Sequence, residues 1–285
     1  MPLPDIIWPL LATLGILYLG GCLYVYSQQR RLIFLPLQGL SATPASHGLG
    51  YEDVWINEPP IAEGVLHGWW LPESTPRGTV LFLHGNSHNI GENLDQAALL
   101  NRLGFSVLLA DYRGYGLSKG PFPNEQRVYE DAEAMWQYLT VQRGVAPESV
   151  LLYGHSLGGA IAIELATHHP DLGALVVESS FTSMGQMAGQ KASLALFPTR
   201  WLLTQHFDSL SKVRSLAMPT LFIHGQSDTT VPYTMSQTLY REAQEPKSLL
   251  LDPDADHVDV PNVMGSTYDH AILSIARSLR HTVSP

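Results

Sequence analysis

The chain has 285 residues, 45% of them hydrophobic, which suits one large domain or two small ones around a sizeable core. Its 16 basic and 26 acidic residues leave a net charge of −10 with no dense basic cluster; that argues against a nucleic-acid partner, because phosphate binding needs a concentrated positive surface. The single cysteine, Cys22, excludes an intrachain disulfide and a cysteine-based zinc site, and the twelve histidines form neither HExxH nor a tight cluster, so no metal and no cofactor are expected.

Ile6 to Tyr26 contains no charged side chain. As a helix this stretch rises about 31 Å, roughly the hydrocarbon thickness of a bilayer. Trp8 at one end and Tyr24 and Tyr26 at the other suit the two interfaces. A cleaved signal peptide would want a basic start and an Ala-x-Ala site; the start is Met-Pro-Leu-Pro-Asp, and no such site closes the run. A buried core helix of this length and position would be unusual. The run therefore reads as a single-pass membrane anchor over residues 1–27. Arg30 and Arg31 follow it and only Asp5 precedes it, which puts the catalytic domain on the cytoplasmic side.

Gln28 to Gly50 reads as a juxtamembrane connector, opening with the apolar patch Leu32-Ile33-Phe34-Leu35, which suits either the membrane surface or the domain. Residues 51–285 form the main domain. Tyr51–Ile56 and Val65–Leu71, split by Pro59-Pro60, predict an antiparallel opening pair. From Thr79 strands alternate with helices, the rhythm of a mostly parallel sheet covered on both faces. Strands are predicted at Thr79–His84, Phe105–Ala110, Val150–His155, Ala174–Glu178, Thr220–His224 and Lys247–Leu251. Helices are predicted from about Gly91 to Arg102, Glu125 to Gln142, Ala160 onward, Pro232 to Glu242 and Tyr268 to Leu279. Met184 to about Ala217 shows no strand signal and reads as a short lid.

Gly154-His155-Ser156-Leu157-Gly158 carries the chemistry. It joins an apolar strand to a helical pattern through a sharp turn, the nucleophile-elbow pattern G-x-S-x-G. Small neighbours leave room for the crossing chain, and the serine hydroxyl stands near free N–H groups of a helix amino end. A serine needs a base, and the base an orienting acid. Here they are expected in the order Ser156, Asp228, His257, because Asp228 and His257 each lie just past a strand's carboxyl end, where catalytic groups of parallel sheets gather. Glu178 is the rival acid, and Asp228 also suits a helix cap before Pro232. Asp252, Asp254 and Asp256 read as turn residues. Backbone N–H groups of Leu157 and Asn86 are the expected oxyanion donors. His84, Asp111 and Arg113 read as loop braces; His155 either touches the pocket or packs below it.

With His84-Gly85-Asn86, Asp111-Tyr112-Arg113-Gly114-Tyr115-Gly116, Gly154-His155-Ser156-Leu157-Gly158-Gly159, Glu178-Ser179-Ser180-Phe181-Thr182-Ser183 and Asp228-Thr229-Thr230-Val231-Pro232 in place, the chain resembles the α/β-hydrolases. More narrowly, it resembles the membrane-anchored α/β-hydrolase-domain proteins, a subgroup that includes protein depalmitoylases. The resemblance covers Gln28 to the end and implies the same nucleophile, acid and base, Ser156, Asp228 and His257. Ser87-His88 departs from the small residues expected of the subgroup, which puts His88 at the pocket mouth. Met184, Met187, Leu194, Phe197, Trp201 and Leu202 of the lid either receive an acyl chain or pack on the sheet. The expected protein is an α/β-fold, membrane-anchored serine hydrolase of acyl esters or thioesters, with lipid or lipidated-protein substrates. A serine peptidase, an acyltransferase and a catalytically silent scaffold on the same fold are its rivals.

Overall fold

A computed structural model describes residues 3–57, 59–194 and 196–280. The apolar runs become strands because each is apolar at successive positions and so must be covered on both faces. The main sheet contains β1 (Glu52–Ile56), β2 (Leu66–Leu71), β3 (Thr79–Leu83), β4 (Ser106–Ala110), β5 (Val150–His155), β6 (Ala174–Glu178), β7 (Thr220–Gly225) and β8 (Lys247–Asp252). Their spatial order is β8-β7-β6-β5-β3-β4-β2-β1. β1 runs antiparallel to β2 and β2 to β4, and every other neighbouring pair is parallel. All eight strands are those expected, within a residue or two.

Period-two alternation divides the core into two layers. Leu81, Leu83, Leu152, Leu175 and Val177 face one way, toward helices α3 (Glu125–Gln137) and α4 (Leu157–His168). Val80, Phe82, Leu151, Tyr153 and Val176 face the other, toward α2 (Leu94–Arg102), α9 (Val260–Met264) and α10 (Ser266–Ile275). α4 is apolar nearly all round, as a helix roofed by its neighbours must be. α8 (Thr234–Glu242) completes the parallel half, leading from β7 toward β8.

Several boundaries differ from expectation for local reasons. The helix expected from Gly91 begins as a 3-10 turn, Ile90–Asn93, capped by the Asn89 side chain. α3 passes at Gln137 into a π-turn, Tyr138–Gln142. The expected closing helix is α10, which ends in a 3-10 turn, Ala276–Ser278; a short helix that was not expected, α9, precedes it across a turn at Gly265 (φ 52°). The lid holds three short helices, α5 (Met184–Gln190), α6 (Thr199–Leu202) and α7 (Ser209–Lys212).

Helix α1 runs Leu3–Ile33, so the first residues of the connector, from Gln28, continue it as helix. Gln and Arg are good helix formers, and partners fix them in place. Gln29 is buried and bonded to the lid, while Arg30 Nε donates to Pro123 O at 2.9 Å. At the helix end the Ile33 carbonyl accepts from Asn86 Nδ2 at 2.6 Å, one of the orphan acceptors every helix terminus leaves. Ile33 and Phe34 enter the core, so the apolar patch rests on the domain; Leu32 and Leu35 stay exposed. Ile7–Ile33 is long and apolar enough to cross a membrane, and its residues as far as Gly20 are exposed.

Candidate active site

Ser156 sits between β5 and α4 with φ 55°, ψ −119°, a backbone state that a non-glycine residue holds only when its surroundings enforce it. Those surroundings are visible. Ser156 N donates to Glu178 O at 2.9 Å, and Ser180 Oγ and Gly159 N both donate to Ser156 O. Three glycines make the turn possible. A Cβ on Gly154 would lie 2.3 Å from Gly158 O, one on Gly158 2.0 Å from Leu83 O, and one on Gly159 2.6 Å from the Ser180 side chain. The motif's small residues are thus dictated by the approach of α4 to β3, β5 and the loop after β6.

His257 arrives on the loop after β8. Gly225 at the end of β7 lets that loop close in, since a Cβ there would lie 2.1 Å from Ala255 O. Gln226 N and Ser227 N then donate to Asp252 O and Ala255 O, tying the two loops together. The result joins three distant side chains. The Ser156 hydroxyl lies 3.0 Å from His257 Nε2, and His257 Nδ1–H donates to Asp228 Oδ2 at 2.6 Å.

Asp228 is fully buried and well supplied with donors. Oδ1 accepts from Thr230 N at 2.7 Å and Val231 N at 2.8 Å, so the carboxylate also caps the turn before α8. Oδ2 accepts from His257 and from His224 Nε2 at 3.0 Å. Burial alone would raise this carboxyl's pKa, but the hydrogen bonds from His224, His257 and Val231 hold it well below the ordinary carboxylate range. His224 was not anticipated as part of the site. It is buried, its Nε2–H is shared between Asp228 Oδ2 and Val231 O, and its Nδ1 faces Ser236 Oγ at 2.7 Å. The available signal was its place four residues before Asp228, at the end of β7.

The rival acid lies elsewhere. Glu178 Oε1 faces Gln96 Nε2 at 3.4 Å, and Gln96 in turn bonds the hydroxyls of Tyr153 and Tyr268, on the layer beneath α10. Glu178 serves Ser156 only through its backbone carbonyl. His155 holds the His257 backbone: its Nε2–H donates to His257 O at 3.0 Å, with the two rings 5.1 Å apart. Burial pushes its pKa down and so favours the neutral ring.

The loop after β3 faces Ser156, for a Cβ on Gly85 would lie 3.4 Å from Ser156 Cβ. Asn86 is held from behind, its carbonyl accepting from Leu35 N at 2.9 Å and Tyr115 Oη at 2.7 Å. The N–H groups of Asn86 and Leu157 have no protein acceptor among the described residues. His84 braces this loop through Nδ1 and Gly85 O at 2.8 Å; burial pushes its pKa down to about 4. Asp111 accepts from Ile90 N, and Arg113 is bound to Asp131 and Glu130. These residues stabilise loops as expected, and Asp252 does the same by accepting from Asp254 N and Ala255 N.

The expected pocket residues divide. His88 is exposed at φ 63°, in a two-residue parallel ladder with Leu35-Pro36, so it meets the connector. Met184 and Met187 pack half-buried on the sheet's helix-covered layer. Phe197 packs on α1, its ring 6.1 Å from that of Tyr18, and Trp201 stands 82% exposed beside Arg200. Neither joins the core beneath Ser156. Among the described residues no His, Cys, Asp and Glu group has the arrangement to hold a metal ion.

Comparison with known proteins agrees with this architecture. The family described as serine aminopeptidase, S33, matches residues 74–211. The uncharacterized protein Rv2307c of Mycobacterium tuberculosis is 35% identical over 254 residues, 88% of either chain. The alpha/beta hydrolase domain-containing protein WAV2 of Arabidopsis thaliana is 31% identical over 280 residues, 89% of either chain. Among solved structures, the Pyrococcus furiosus esterase Pf2001 superposes with a TM-score of 0.71 at 20% identity, covering 87% of this chain and 99% of its own.

Proposed function

The chain belongs to the α/β-hydrolase family, and from that premise we propose that it is a membrane-anchored serine hydrolase of carboxylic esters or thioesters, with lipid or lipidated-protein substrates. One observation carries the reading: the unbroken hydrogen-bonded run from Ser156 through His257 to Asp228 at 3.0 and 2.6 Å. Ser156 Oγ attacks the acyl carbonyl as His257 Nε2 takes its proton. Asp228 fixes the imidazole with Nδ1–H and stabilises the imidazolium that forms. The backbone N–H groups of Leu157 and Asn86 receive the developing oxyanion, in a place where no protein acceptor competes for them. His257 then hands the proton to the leaving oxygen or sulfur, and water releases the acyl group by the same steps in reverse.

Ester chemistry is supported by likeness of fold to an esterase, and the membrane anchor by α1, which would hold the enzyme where acylated substrates concentrate. Arg30 and Arg31 in its last turn support a cytoplasmic catalytic domain by the positive-inside bias. A fluorophosphonate probe tests the mechanism: it should label the purified protein and fail on Ser156→Ala. No labelling, or labelling of Ser156→Ala, would favour a silent scaffold. Deleting the residues before Gln28 should move the protein from the membrane to the soluble fraction.

A second reading follows from the matched family's description, which names a serine aminopeptidase. Amino-acid p-nitroanilides separate it from the first: turnover exceeding that of short p-nitrophenyl esters would replace esterase by peptidase on the same three residues.

A further inference from the structure

We propose that the lid around Leu196–Leu202 is a second membrane contact, lying in the bilayer surface beside α1. This rests on the reading of α1 as a membrane span, and the lid's own geometry carries it further. Phe197 packs directly on α1: a Cβ at Gly21 would lie 2.7 Å from Phe197 Cε1, and the Phe197 ring stacks on Tyr18. Farther along, Gln29 Oε1 accepts from Thr204 N at 2.7 Å and Gln29 Nε2 donates to Leu202 O at 3.2 Å. The lid therefore follows α1 from Tyr18 to Gln29, a rise of about 16 Å.

Helix length decides where that seam lies. Were the level of Tyr18 in water, only Leu3–Leu17 would remain to cross the membrane, a rise of about 22 Å against about 30 Å of hydrocarbon. That remnant also includes Asp5. The apolar stretch reaches the required length only if it continues past Gly21 to about Tyr26, which carries Phe197 below the headgroups. The lid's free side chains fit this position. Leu196 is 78% exposed and Trp201 82%, with Arg200 next to the Trp201 ring, an arrangement suited to the boundary between acyl chains and headgroups.

Charge is segregated in the same sense. Although the chain carries 26 acidic residues, none falls between Asp5 and Glu52 or between Glu178 and Asp208. Those two stretches hold Arg30, Arg31, Lys191 and Arg200. The two stretches that form the seam thus contribute basic residues and no carboxylate of their own to it, which would favour anionic lipid headgroups.

The test uses the full chain with Cys22→Ser, reconstituted in vesicles of phosphatidylcholine and phosphatidylglycerol. A nitrobenzoxadiazole label is attached in turn through Leu14→Cys, Trp201→Cys and Val141→Cys, the last in the π-turn that follows α3. Doxyl groups on the lipid and acrylamide in the water serve as quenchers. Labels at 14 and 201 should be quenched by lipid and shielded several-fold from acrylamide, and the label at 141 should behave oppositely. Lipid quenching at 14 with acrylamide quenching at 201 would overturn the lid contact and leave the anchor standing. Shielding at 201 without lipid quenching would mean that a second copy of the chain covers it, which also overturns the proposal. Absence of lipid quenching at 14 would remove the anchor and the lid contact together.

Discussion

The carboxyl edge of the sheet and the lid are held by different kinds of force. At the edge, Ser156, His257 and Asp228 are fixed by a dense set of directed bonds. Ser156 has three partners at its backbone, Asp228 accepts from four donors, and His257 is gripped at Nδ1 and through His155 at its carbonyl. Between Lys191 and Leu203, short helices and turns hold the chain locally, and its large side chains lean on α1 or face outward. Chemistry requires positioning to a fraction of an ångström; recognition of an acyl chain in a fluid bilayer requires apolar surface and the freedom to move. The bonded edge meets the first requirement, and on the proposed function the lid would meet the second.

The first way to break the contrast is to remove the edge's reactive groups. Ser156→Ala and His257→Ala should each lower kcat for a short p-nitrophenyl ester by roughly 10⁴-fold or more, with unchanged circular dichroism. A residual rate near wild type would place the nucleophile elsewhere. Asp228→Asn should cost about 10³- to 10⁴-fold, while Glu178→Gln, whose side chain bonds Gln96 in the opposite layer, should cost less than about tenfold. The reverse ranking would transfer the acid role to Glu178.

A truncation pair tests how far the edge extends toward α1. The side chain of Asn86 caps α1, and its carbonyl accepts from Leu35 N, so the proposed oxyanion loop leans on residues 33–35. Removing residues 1–27 should leave the rate on a soluble ester unchanged. Removing residues through Pro36 should lower it about 10²-fold, the scale of a misplaced oxyanion donor. Equal rates would show that the loop after β3 stands unaided.

Acid should reveal the edge's buried histidine. His84 has a folded-state pKa of about 4 because of burial, below its ordinary 6.5. Between those values the unfolded chain binds the proton and the folded chain resists it, so stability is complete above about pH 6.5 and falls as the pH drops toward 4. The loss reaches about 3 kcal/mol. Thermal melts of His84→Gln across pH 7 to 4.5 should be flatter than those of the parent protein. An unchanged slope would assign the acid sensitivity to other groups.

How much was legible in the sequence follows the same division. The eight strands were readable because most have both faces buried, which leaves continuous apolar runs. The convergence of Ser156, Asp228 and His257 was readable because loop position after a parallel strand predicts where a residue ends up. His224 escaped notice because it lies inside β7, where a polar residue reads as the end of a strand, and only the fold shows its ring turned onto Asp228. The extension of α1 was hidden by Gln28, Gln29, Arg30 and Arg31, polar residues that read as the exit from a span although they are good helix formers. At the start of the lid the Ser183 side chain accepts from Gln186 N and caps α5, but no long apolar period follows to mark that short helix in the sequence. Phe197 and Trp201 were apolar enough for a pocket, and their actual neighbours depend on where α1 runs, information no local pattern contains.

The smallest expected effect bears on the seam between the two regions. Phe197 rests on Gly21 because glycine presents no Cβ; any larger residue would meet the ring at 2.7 Å. Gly21→Val should therefore push the Phe197 ring aside without reaching Ser156, which is held by bonds to β6 and to its own turn. The substitution keeps α1 apolar, so the protein should remain in the membrane fraction. Turnover of a water-soluble short ester should be unchanged. Turnover of a long-chain ester dissolved in vesicles should fall a few-fold, through KM rather than kcat, because only the approach of the substrate passes the displaced segment. A loss of equal size on both substrates would mean that the lid also steadies the reactive edge, and the division of labour between bonded edge and apolar lid would have to be withdrawn.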